Sequence, residues 1–322
     1  MERIIQRLME AFNSYHAHVY FWTYLEKLMK YLLLLCGLST LMLAQPLADR
    51  FASFGHLLYL KSAHTEFPHP ARDSGHTYGG KFYSTEEHYR DSTVGVFIPK
   101  TFQAGKSIDI VVHIHGWFNN VESTFVQFRL IEQFVESGAN ALLIVPEGPN
   151  NAPDSFGGKL EKPGEFALLI HDVLSQLQRM KKIPSARIGT IVLSGHSGAY
   201  RAMAFVLQHG GLPEKIKEVY LFDALYGQTE KFAYWLDHSR GRLLNIYTDD
   251  GGTKSESELL AADLMSWKIP HLSLEENEVT SELLKKNRIV LIHTKLEHND
   301  VLSAHNTFRE FLKAGVLKRA MR

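Results

Sequence analysis

From Ser92 onward the sequence alternates short apolar, β-branched runs with longer stretches whose apolar residues recur at helical spacing. The short runs are continuously apolar, which is typical of strands buried on both faces. Strands that alternate with helices predict a mostly parallel sheet with helices on both faces, an α/β fold. The predicted strands are 92–99, 108–116, 140–148, 187–195, 216–224, 241–248 and 288–295.

The predicted helices fill the intervals between these strands. Residues 49–92 are rich in His, Gly, Ser and Tyr and show no clear periodicity, so the simplest organisation is a single domain over 49–322. Lys+Arg and Asp+Glu both number 35, a balance that gives no basic surface for nucleic acid. The helical segments are 121–135, 166–177, 198–209, 228–238, 255–264 and a terminal helix that includes Val301, Ala304, His305, Phe308, Phe311 and Leu312.

The N-terminal 48 residues are predicted to be a leader. An apolar run at 31–44, preceded by Lys27 and Lys30, is too short to cross a bilayer but suits the core of a signal peptide. This indicates a secreted, periplasmic or cell-envelope protein that contacts the membrane only through an uncleaved leader. The alternative is a buried or amphipathic leading helix. The only cysteine, Cys36, lies in the run, so a cleaved protein has no disulfide.

The predicted strand 187–195 leads through His196-Ser197-Gly198-Ala199 directly into a predicted helix. A nucleophile elbow needs this strand–turn–helix context, and it needs small residues two positions before and after the serine. Gly195 and Ala199 meet that requirement. An ordinary glycine-rich turn is the alternative, but the α/β context favours Ser197 as a nucleophile.

Residues 92–314 resemble the α/β-hydrolase superfamily, through the sequences HIHGW and SGHSGA and a late Asp and His in the expected order. The resemblance implies acyl transfer from a small-molecule ester or amide to water through a serine acyl-enzyme, without a cofactor. It assigns the oxyanion hole to the backbone N–H groups of Trp117 and Gly198, with His115 and Gly116 in the motif.

The catalytic base of this superfamily follows the last strand, where the first histidine is His298. A serine hydroxyl needs such a base to take its proton. His305 is the alternative base, although its place on the apolar stripe of the predicted terminal helix indicates a packed core histidine. His293 lies inside the predicted strand, and we interpret it as structural.

Three aspartates are candidates for the acid that orients the base. Asp223 ends an otherwise apolar strand, where an unpaired carboxylate would be costly, and it is the preferred candidate. Asp250 and Asp249 follow the next predicted strand, at the usual superfamily position. They lie in a Gly-rich turn, where aspartate is common without any catalytic role because its side chain can hydrogen-bond to the backbone of the turn.

Two alternatives to a serine hydrolase remain open. His113 and His115 lie two residues apart on a predicted strand and so share one of its faces. Some metal-dependent hydrolases use a His-x-His pair at a strand end as the first ligands of their metal site. A non-catalytic binding protein on a hydrolase scaffold is the other. For the serine hydrolase, the loop 148–164, Trp117, Phe118 and Tyr226 are predicted to face the substrate pocket.

Overall fold

The structure is a computed structural model that describes residues 2–3 and 46–320. Contacts divide the chain into two units, Met1–Arg50 and Phe51–Arg322. Of the first unit, the predicted signal-like run at 31–44 lies outside the described residues. Among the described residues, no helix combines the length and the apolar character needed to cross a bilayer.

Nine strands form one sheet in the second unit, and two more form a separate hairpin. The order across the sheet is β1-β4-β6-β5-β7-β8-β9-β11-β10. Only β4 runs antiparallel to its neighbours. The strands are β1 (Gly55–Lys61), β2 (His76–Tyr78), β3 (Lys81–Tyr83), β4 (Thr93–Pro99), β5 (Ile108–Ile114), β6 (Leu142–Pro146), β7 (Ile188–His196), β8 (Ile216–Phe222), β9 (Arg242–Thr248), β10 (Leu272–Glu275) and β11 (Ile289–Thr294).

Helices cover both faces of the sheet. Along β5, Ile110 and Val112 point into a core shared with the apolar stripes of four helices, α5 to α8. His113 points to the other face, where it meets Phe308 of the last helix. The predicted α/β class is thus confirmed. The helices are α1 (Leu47–Arg50), α2 (Thr85–His88), α3 (Val121–Gln127), α4 (Leu130–Ser137), α5 (Glu165–Arg179), α6 (Tyr200–His209), α7 (Thr229–His238), α8 (Lys254–Ser266), α9 (Ser281–Lys286) and α10 (Thr307–Ala314).

The structure differs from the predicted elements in several places. Strands β1, β2, β3 and β10 were not predicted, and each lies at a sheet edge or in the hairpin, where polar residues interrupt the apolar pattern. The predicted helix 121–135 is two helices, because Arg129 takes a left-handed conformation with φ 49°. The predicted terminal helix begins only at Thr307, after Asn306 with φ 52°.

Candidate active site

Ser197 lies on a sharp turn between strand β7 and helix α6. Its φ of 56° is in the left-handed region, where a non-glycine residue is strained. The turn packs so tightly that a β-carbon on Gly195 would lie 2.7 Å from the Ala199 β-carbon and 2.4 Å from the Met203 sulfur. The small residues around Ser197 therefore have a steric cause, and the turn presents Ser197 at the carboxyl end of the sheet.

The backbone at Gly116 approaches Ser197 from the end of strand β5. A β-carbon on Gly116 would lie 2.6 Å from the Ser197 β-carbon and 3.2 Å from the Gly198 nitrogen. Within residues 46–320, the backbone N–H groups of Trp117 and Gly198 donate to no protein acceptor. Two backbone donors are thus left for a ligand beside the serine.

His298 and Asp223 come together although they lie 75 residues apart in the sequence. His298 Nδ1 donates to Asp223 Oδ2 across 2.6 Å. Asp223 is fully buried in the turn that follows strand β8, with φ 45°. Both His298 and Ser197 line the same pocket. Within the described residues, the Ser197 hydroxyl and His298 do not form a hydrogen bond, a contact that is often loose in the absence of substrate.

Asp223 accepts three further hydrogen bonds in addition to that of His298. The Thr248 backbone N–H donates to Oδ1 at 3.0 Å, the Thr248 hydroxyl to Oδ2 at 2.8 Å, and the Thr253 hydroxyl to Oδ1. Burial by itself would raise the pKa of Asp223, but the hydrogen bonds from His298, Thr253 and Thr248 hold this pKa below its ordinary value. The buried carboxylate is therefore charged. Sequence reasoning missed both threonines, because nothing in their spacing marks them.

The other two candidate acids lie apart from His298. Asp249 Oδ1 pairs with Lys254 at 2.6 Å and with His293 Nε2 at 2.9 Å. Asp250 is exposed. The strand that carries them continues into Gly251, and this glycine packs against Asp223: a β-carbon on Gly251 would lie 2.4 Å from Asp223 Oδ2.

The other two late histidines contact acidic side chains outside the pocket. His305 was predicted to be a packed core residue, and this was wrong: its side chain is 64% exposed and contacts Glu276 at 2.6 Å. The physical reason is that the chain at His305 precedes α10 and is not part of its apolar stripe. His293 lies in β11, as predicted, between Asp249 and Glu275.

His196, directly before Ser197, supports the loop of His298. Its Nε2–H donates to the backbone carbonyl of His298 at 3.0 Å, and its ring lies between Phe128 and the His298 ring, with centroid distances of 4.8 and 4.6 Å. Burial, and then the nearby His298, lower the pKa of His196 to about 3, so the ring is neutral. This residue occupies a variable position of the elbow motif, and sequence reasoning gave it no role.

His115 fixes the backbone that leads to Trp117. Its Nδ1–H donates to the Gly116 carbonyl at 2.9 Å, and its Nε2 lies 2.9 Å from Glu147 Oε1. Burial would lower the pKa of His115, but the hydrogen bond and charge of Glu147 raise it. Glu147 also accepts from the Val121 N–H, where helix α3 begins. The buried contact between His115 and Glu147 therefore braces the loop beside Ser197.

Glu66 lies next to the contact between His115 and Glu147. It is 4% exposed, and a β-carbon on Gly148 would lie 3.1 Å from Glu66 Oε2 and 3.3 Å from His115 Nε2. Burial raises the pKa of Glu66 to about 8; His115 opposes the shift, while nearby acidic groups including Asp154 add to it. The group is therefore largely protonated at neutral pH. Sequence reasoning missed it, since it lies in the region without periodicity.

His113 does not join His115 in a ligand set. Its Nδ1 is 2.9 Å from the Ser194 hydroxyl, and burial lowers its pKa to about 3. In the part of the chain that the structure describes, no three His, Cys, Asp or Glu side chains are arranged to hold a metal ion. The metal-dependent alternative therefore has no set of ligands among these residues.

A pocket of about 660 Å³ contains Ser197 and His298. Trp117 forms one wall: its Nε1–H donates to the Ser155 hydroxyl at 2.8 Å, and the Tyr78 ring meets its edge at 5.0 Å. No Asp, Glu, Lys or Arg from the described residues lines the pocket. Its lining is aromatic, amide or hydroxyl in character, and consists of Trp117, Phe118, Asn119, Gln127, Ser155, His196, Ser197, Gly198, Tyr200, Tyr226, Gly251, His298 and Asn299.

One known architecture combines this strand order with a single antiparallel strand, here β4, and a serine turn after a central strand, here β7. Ser197, Asp223 and His298 also follow one another in the chain order that this architecture uses. The fold is an α/β-hydrolase fold. The resemblance seen in the sequence is thereby confirmed for the fold, and the predicted pocket residues Trp117, Phe118 and Tyr226 lie in the pocket that contains Ser197 and His298.

Comparisons with family models, curated proteins and solved structures give matches among the solved structures alone. No family model matches the sequence, and no curated protein matches it. Among solved structures, FphF of Staphylococcus aureus, a fluorophosphonate-binding serine hydrolase, is 11% identical with a TM-score of 0.49 over 81% of this chain and 99% of that chain. A feruloyl esterase module from Clostridium thermocellum is 11% identical, with a TM-score of 0.49 over 81% and 88%. The enterobactin and salmochelin hydrolase IroE is 14% identical, with a TM-score of 0.48 over 84% and 100%.

Proposed function

We propose that the protein is a serine hydrolase that cleaves an ester bond, with Ser197 as nucleophile, His298 as base and Asp223 as the orienting acid. One observation carries the proposal: a buried, charged Asp223 holds His298 at 2.6 Å in the pocket that also contains the strained Ser197. An imidazole fixed in this way keeps its proton on Nδ1 and has Nε2 free to accept one.

The reaction follows from these groups. His298 removes the Ser197 proton as the hydroxyl attacks the ester carbonyl, and Asp223 stabilises the imidazolium that forms. The His298 proton then passes to the leaving alcohol, and an acyl-enzyme remains. Water attacks this intermediate by the same steps in reverse, which releases the carboxylic acid and restores Ser197.

The oxyanion of each tetrahedral intermediate would be bound by the N–H groups of Trp117 and Gly198. Both donors are unused by protein acceptors within residues 46–320, and the Gly116 backbone lies against Ser197. Such fixed donors stabilise charge that develops only in the transition state, and the loss of one costs about 3 kcal/mol. The braced His115–Glu147 pair supports this loop from behind.

The pocket indicates an uncharged substrate. Its walls offer aromatic faces, neutral amides and hydroxyls, and a charged acyl group would lose its hydration there without a compensating ion pair. Aromatic side chains are exposed at the pocket and next to it: Phe118, which lines the pocket, is 56% exposed, and Tyr78, which meets Trp117, is 48% exposed. Large exposed aromatic groups beside a pocket are typical of a surface that contacts an apolar ligand. We therefore infer a neutral ester with an apolar group.

The first experiment is labelling with a fluorophosphonate probe, which reacts with activated serines. We expect the wild type to be labelled, Ser197→Ala and His298→Ala to remain unlabelled, and His305→Ala to label as the wild type does. Asp223→Asn should label slowly, while Asp250→Asn should not differ from wild type. A folded wild-type protein that resists the probe would refute the serine mechanism, and loss of labelling in His305→Ala would refute the choice of base.

A panel of p-nitrophenyl esters then tests the substrate class. Acetate, butyrate and benzoate esters should be hydrolysed with a higher kcat/KM than the hemisuccinate, which carries a carboxylate of similar size to the butyryl group. Equal rates for butyrate and hemisuccinate would contradict an uncharged pocket.

We further propose export, because of the signal-like run at 31–44. Expression in a bacterial host followed by N-terminal sequencing of the secreted or periplasmic fraction tests this. A chain that starts near residue 49 would support cleavage, and an intact chain confined to the cytoplasm would contradict it.

A further inference from the structure

A four-residue turn, 249–252, separates the two threonines that hold the Asp223 carboxylate. Thr248 precedes the turn and donates to Asp223 through its backbone N–H and its hydroxyl, and Thr253 follows the turn and donates through its hydroxyl. The Gly251 N–H also donates to the Thr248 hydroxyl oxygen, at 3.1 Å. A β-carbon on Gly251 would lie only 2.4 Å from Asp223 Oδ2. The inner side of the turn therefore packs directly against the proposed catalytic acid.

The outer side of the turn is held at Asp249. Its Oδ1 accepts hydrogen bonds from His293 Nε2 at 2.9 Å and from Lys254 Nζ at 2.6 Å. The hydrogen bond from Lys254, and then that from His293, lower the pKa of Asp249, so this carboxylate is charged. In the part of the chain that the structure describes, the Asp250 side chain has no partner, and the other two residues of the turn are glycines. Asp249 is thus the side chain that ties the turn to a neighbouring strand.

His293 is a fixed partner for Asp249. Its side chain is 14% exposed, and it lies in β11 between Tyr247 of β9, at a ring-centroid distance of 5.4 Å, and Glu275 of β10. Its Nδ1 is 2.9 Å from Glu275 Oε2, so with a proton on both nitrogens the ring donates to both carboxylates at once. An exposed ion pair such as Asp249–Lys254 contributes little by itself, because both side chains can move. A ring held by the sheet, in contrast, keeps the Asp249 carboxylate in one place.

We propose that His293 is a positioning residue for the catalytic acid, on which it acts through Asp249 and the turn 249–252. The inference rests on the proposed function, because it assumes that Asp223 orients His298. His293 does not itself line the pocket that contains the base. It holds the outer side of the turn, and the inner side then stays against the Asp223 carboxylate. Without this anchor the turn is free to move, the donors to Asp223 weaken, and the base is oriented less firmly.

Two variants break the anchor from opposite sides, His293→Phe and Asp249→Ala. Phenylalanine keeps a ring against Tyr247 but offers no N–H to a carboxylate. With a p-nitrophenyl ester that wild type hydrolyses, we expect kcat to fall about 5- to 20-fold in both variants, at or below the effect of losing a donor that contacts a charged group directly. KM should change by less than about twofold, because a poorly oriented base affects the chemical steps more than binding. Stoichiometric labelling with a fluorophosphonate counts the active sites, so that kcat is expressed per competent molecule.

Glu275→Ala is the matched control. Glu275 contacts the same ring at the same distance of 2.9 Å as Asp249 does, but it belongs to β10 and not to the turn. Its removal leaves His293 Nε2 free to bond Asp249, so kcat should equal that of wild type. A merely structural role of His293 would lower the melting temperature and kcat of Asp249→Ala and Glu275→Ala alike. Equal losses of kcat in these two variants would therefore overturn the inference, and so would full activity of Asp249→Ala.

Both carboxylates lie near the surface, with side chains that are 42% and 58% exposed for Asp249 and Glu275. Substitutions at such positions usually change stability little, so this pair of variants decides the question even if His293→Phe does not fold.

The double variant separates this role from a direct one, since Asp249 is also a candidate acid in the sequence. If Asp249 and His293 act as one unit, the His293→Phe/Asp249→Ala protein should be no less active than either single variant. Losses that multiply would mean that the two residues act separately, and they would overturn the inference.

Failure of the proposed function gives a different result. Wild type would then resist the fluorophosphonate probe and hydrolyse no ester, and the role of His293 would fall with the function. If wild type is labelled and active, but His293→Phe and Asp249→Ala turn over at the wild-type rate, only the role of His293 falls.

Discussion

A β-carbon on Gly116 would lie 2.6 Å from the β-carbon of Ser197, and two non-bonded carbon atoms essentially never come this close in folded proteins. The strand end that carries Gly116 and the turn that carries Ser197 therefore fit together only when residue 116 lacks a side chain. The same contact sets the distance between the serine and the two free backbone donors beside it.

Gly116→Ala should abolish most of the proposed activity. The added methyl group must push the loop of Trp117 away from Ser197, and the loss of one well-placed oxyanion donor costs about 3 kcal/mol, or a factor of about 100 in kcat. Steady-state hydrolysis of a p-nitrophenyl ester measures the effect. Gly105→Ala is the control, since a β-carbon there meets its nearest atom at 3.4 Å and should leave kcat unchanged. Full activity in Gly116→Ala would show that the loop does not supply the donors.

Thr253→Val should lower kcat and stability together. The hydroxyl donates to the buried Asp223 carboxylate, and loss of a donor to a charged buried group costs about 1.5–3 kcal/mol. With one donor fewer, the pKa of Asp223 rises towards that of the free side chain, so the stability lost on acidification should be smaller than in wild type and should level off at a higher pH. Urea unfolding between pH 3 and 7 measures this. Thr253→Ser keeps the hydroxyl and should resemble wild type. A Val variant whose free energy of unfolding depends on pH in the acid range as that of wild type does would contradict the role of Thr253.

His196→Phe should reduce turnover without changing the binding of substrate. The phenyl ring can keep the packing between Phe128 and His298, but it removes the N–H that holds the His298 carbonyl. A less restrained His298 is expected to lower kcat about 10-fold, since the loss of one hydrogen bond at this position costs about 1 kcal/mol or slightly more. Because the ring of His196 is neutral, with a pKa of about 3, the variant should not alter the pH profile between 5 and 9. A shifted profile would mean that His196 itself exchanges protons.

Glu66 should make the folded protein less stable as the pH rises from about 5 to 8. Its pKa is raised from 4.5 to about 8, so the folded state binds more protons than the unfolded state in this window. Under proton linkage the free energy of unfolding then falls with increasing pH and levels off above the folded pKa. Melting temperatures at pH 5.5, 7 and 9 measure the slope. Glu66→Gln, which resembles the protonated form, should flatten it, and an equally steep slope in this variant would assign the effect to another group.

The sequence predicts the centre of this fold better than its edges. The central strands are continuously apolar because both faces are covered, so their pattern is unambiguous. Strand β1 pairs only with β4 in the sheet, and its burial alternates only in part: Leu57 is buried, but Tyr59, two residues further on, is exposed. Without the knowledge that β4 lies beside it, that pattern resembles the irregular segment around it.

The site shows a similar limit. The Ser197 turn is local, and its steric demands appear directly as Gly195 and Ala199. The partnership of Asp223 with His298 is not local, because it depends on how neighbouring strand ends meet in space, and Asp249 or Asp250 satisfies the same sequence criteria. His305 shows how helical spacing misleads: the apolar residues near it lie on either side of the left-handed Asn306, where no single helix continues.

Asp223 belongs to the end of strand β8, and its supporting donors come from the neighbouring strand end and the start of α8. The place of Asp223, the proposed acid, is thus set by the ends of neighbouring strands, while the turn at 249–252 contributes Gly251 to the wall of the pocket. A longer or reshaped turn would therefore change the pocket wall at Gly251, and it would leave Asp223 undisturbed only if Gly251 and Thr253 kept their places against that carboxylate.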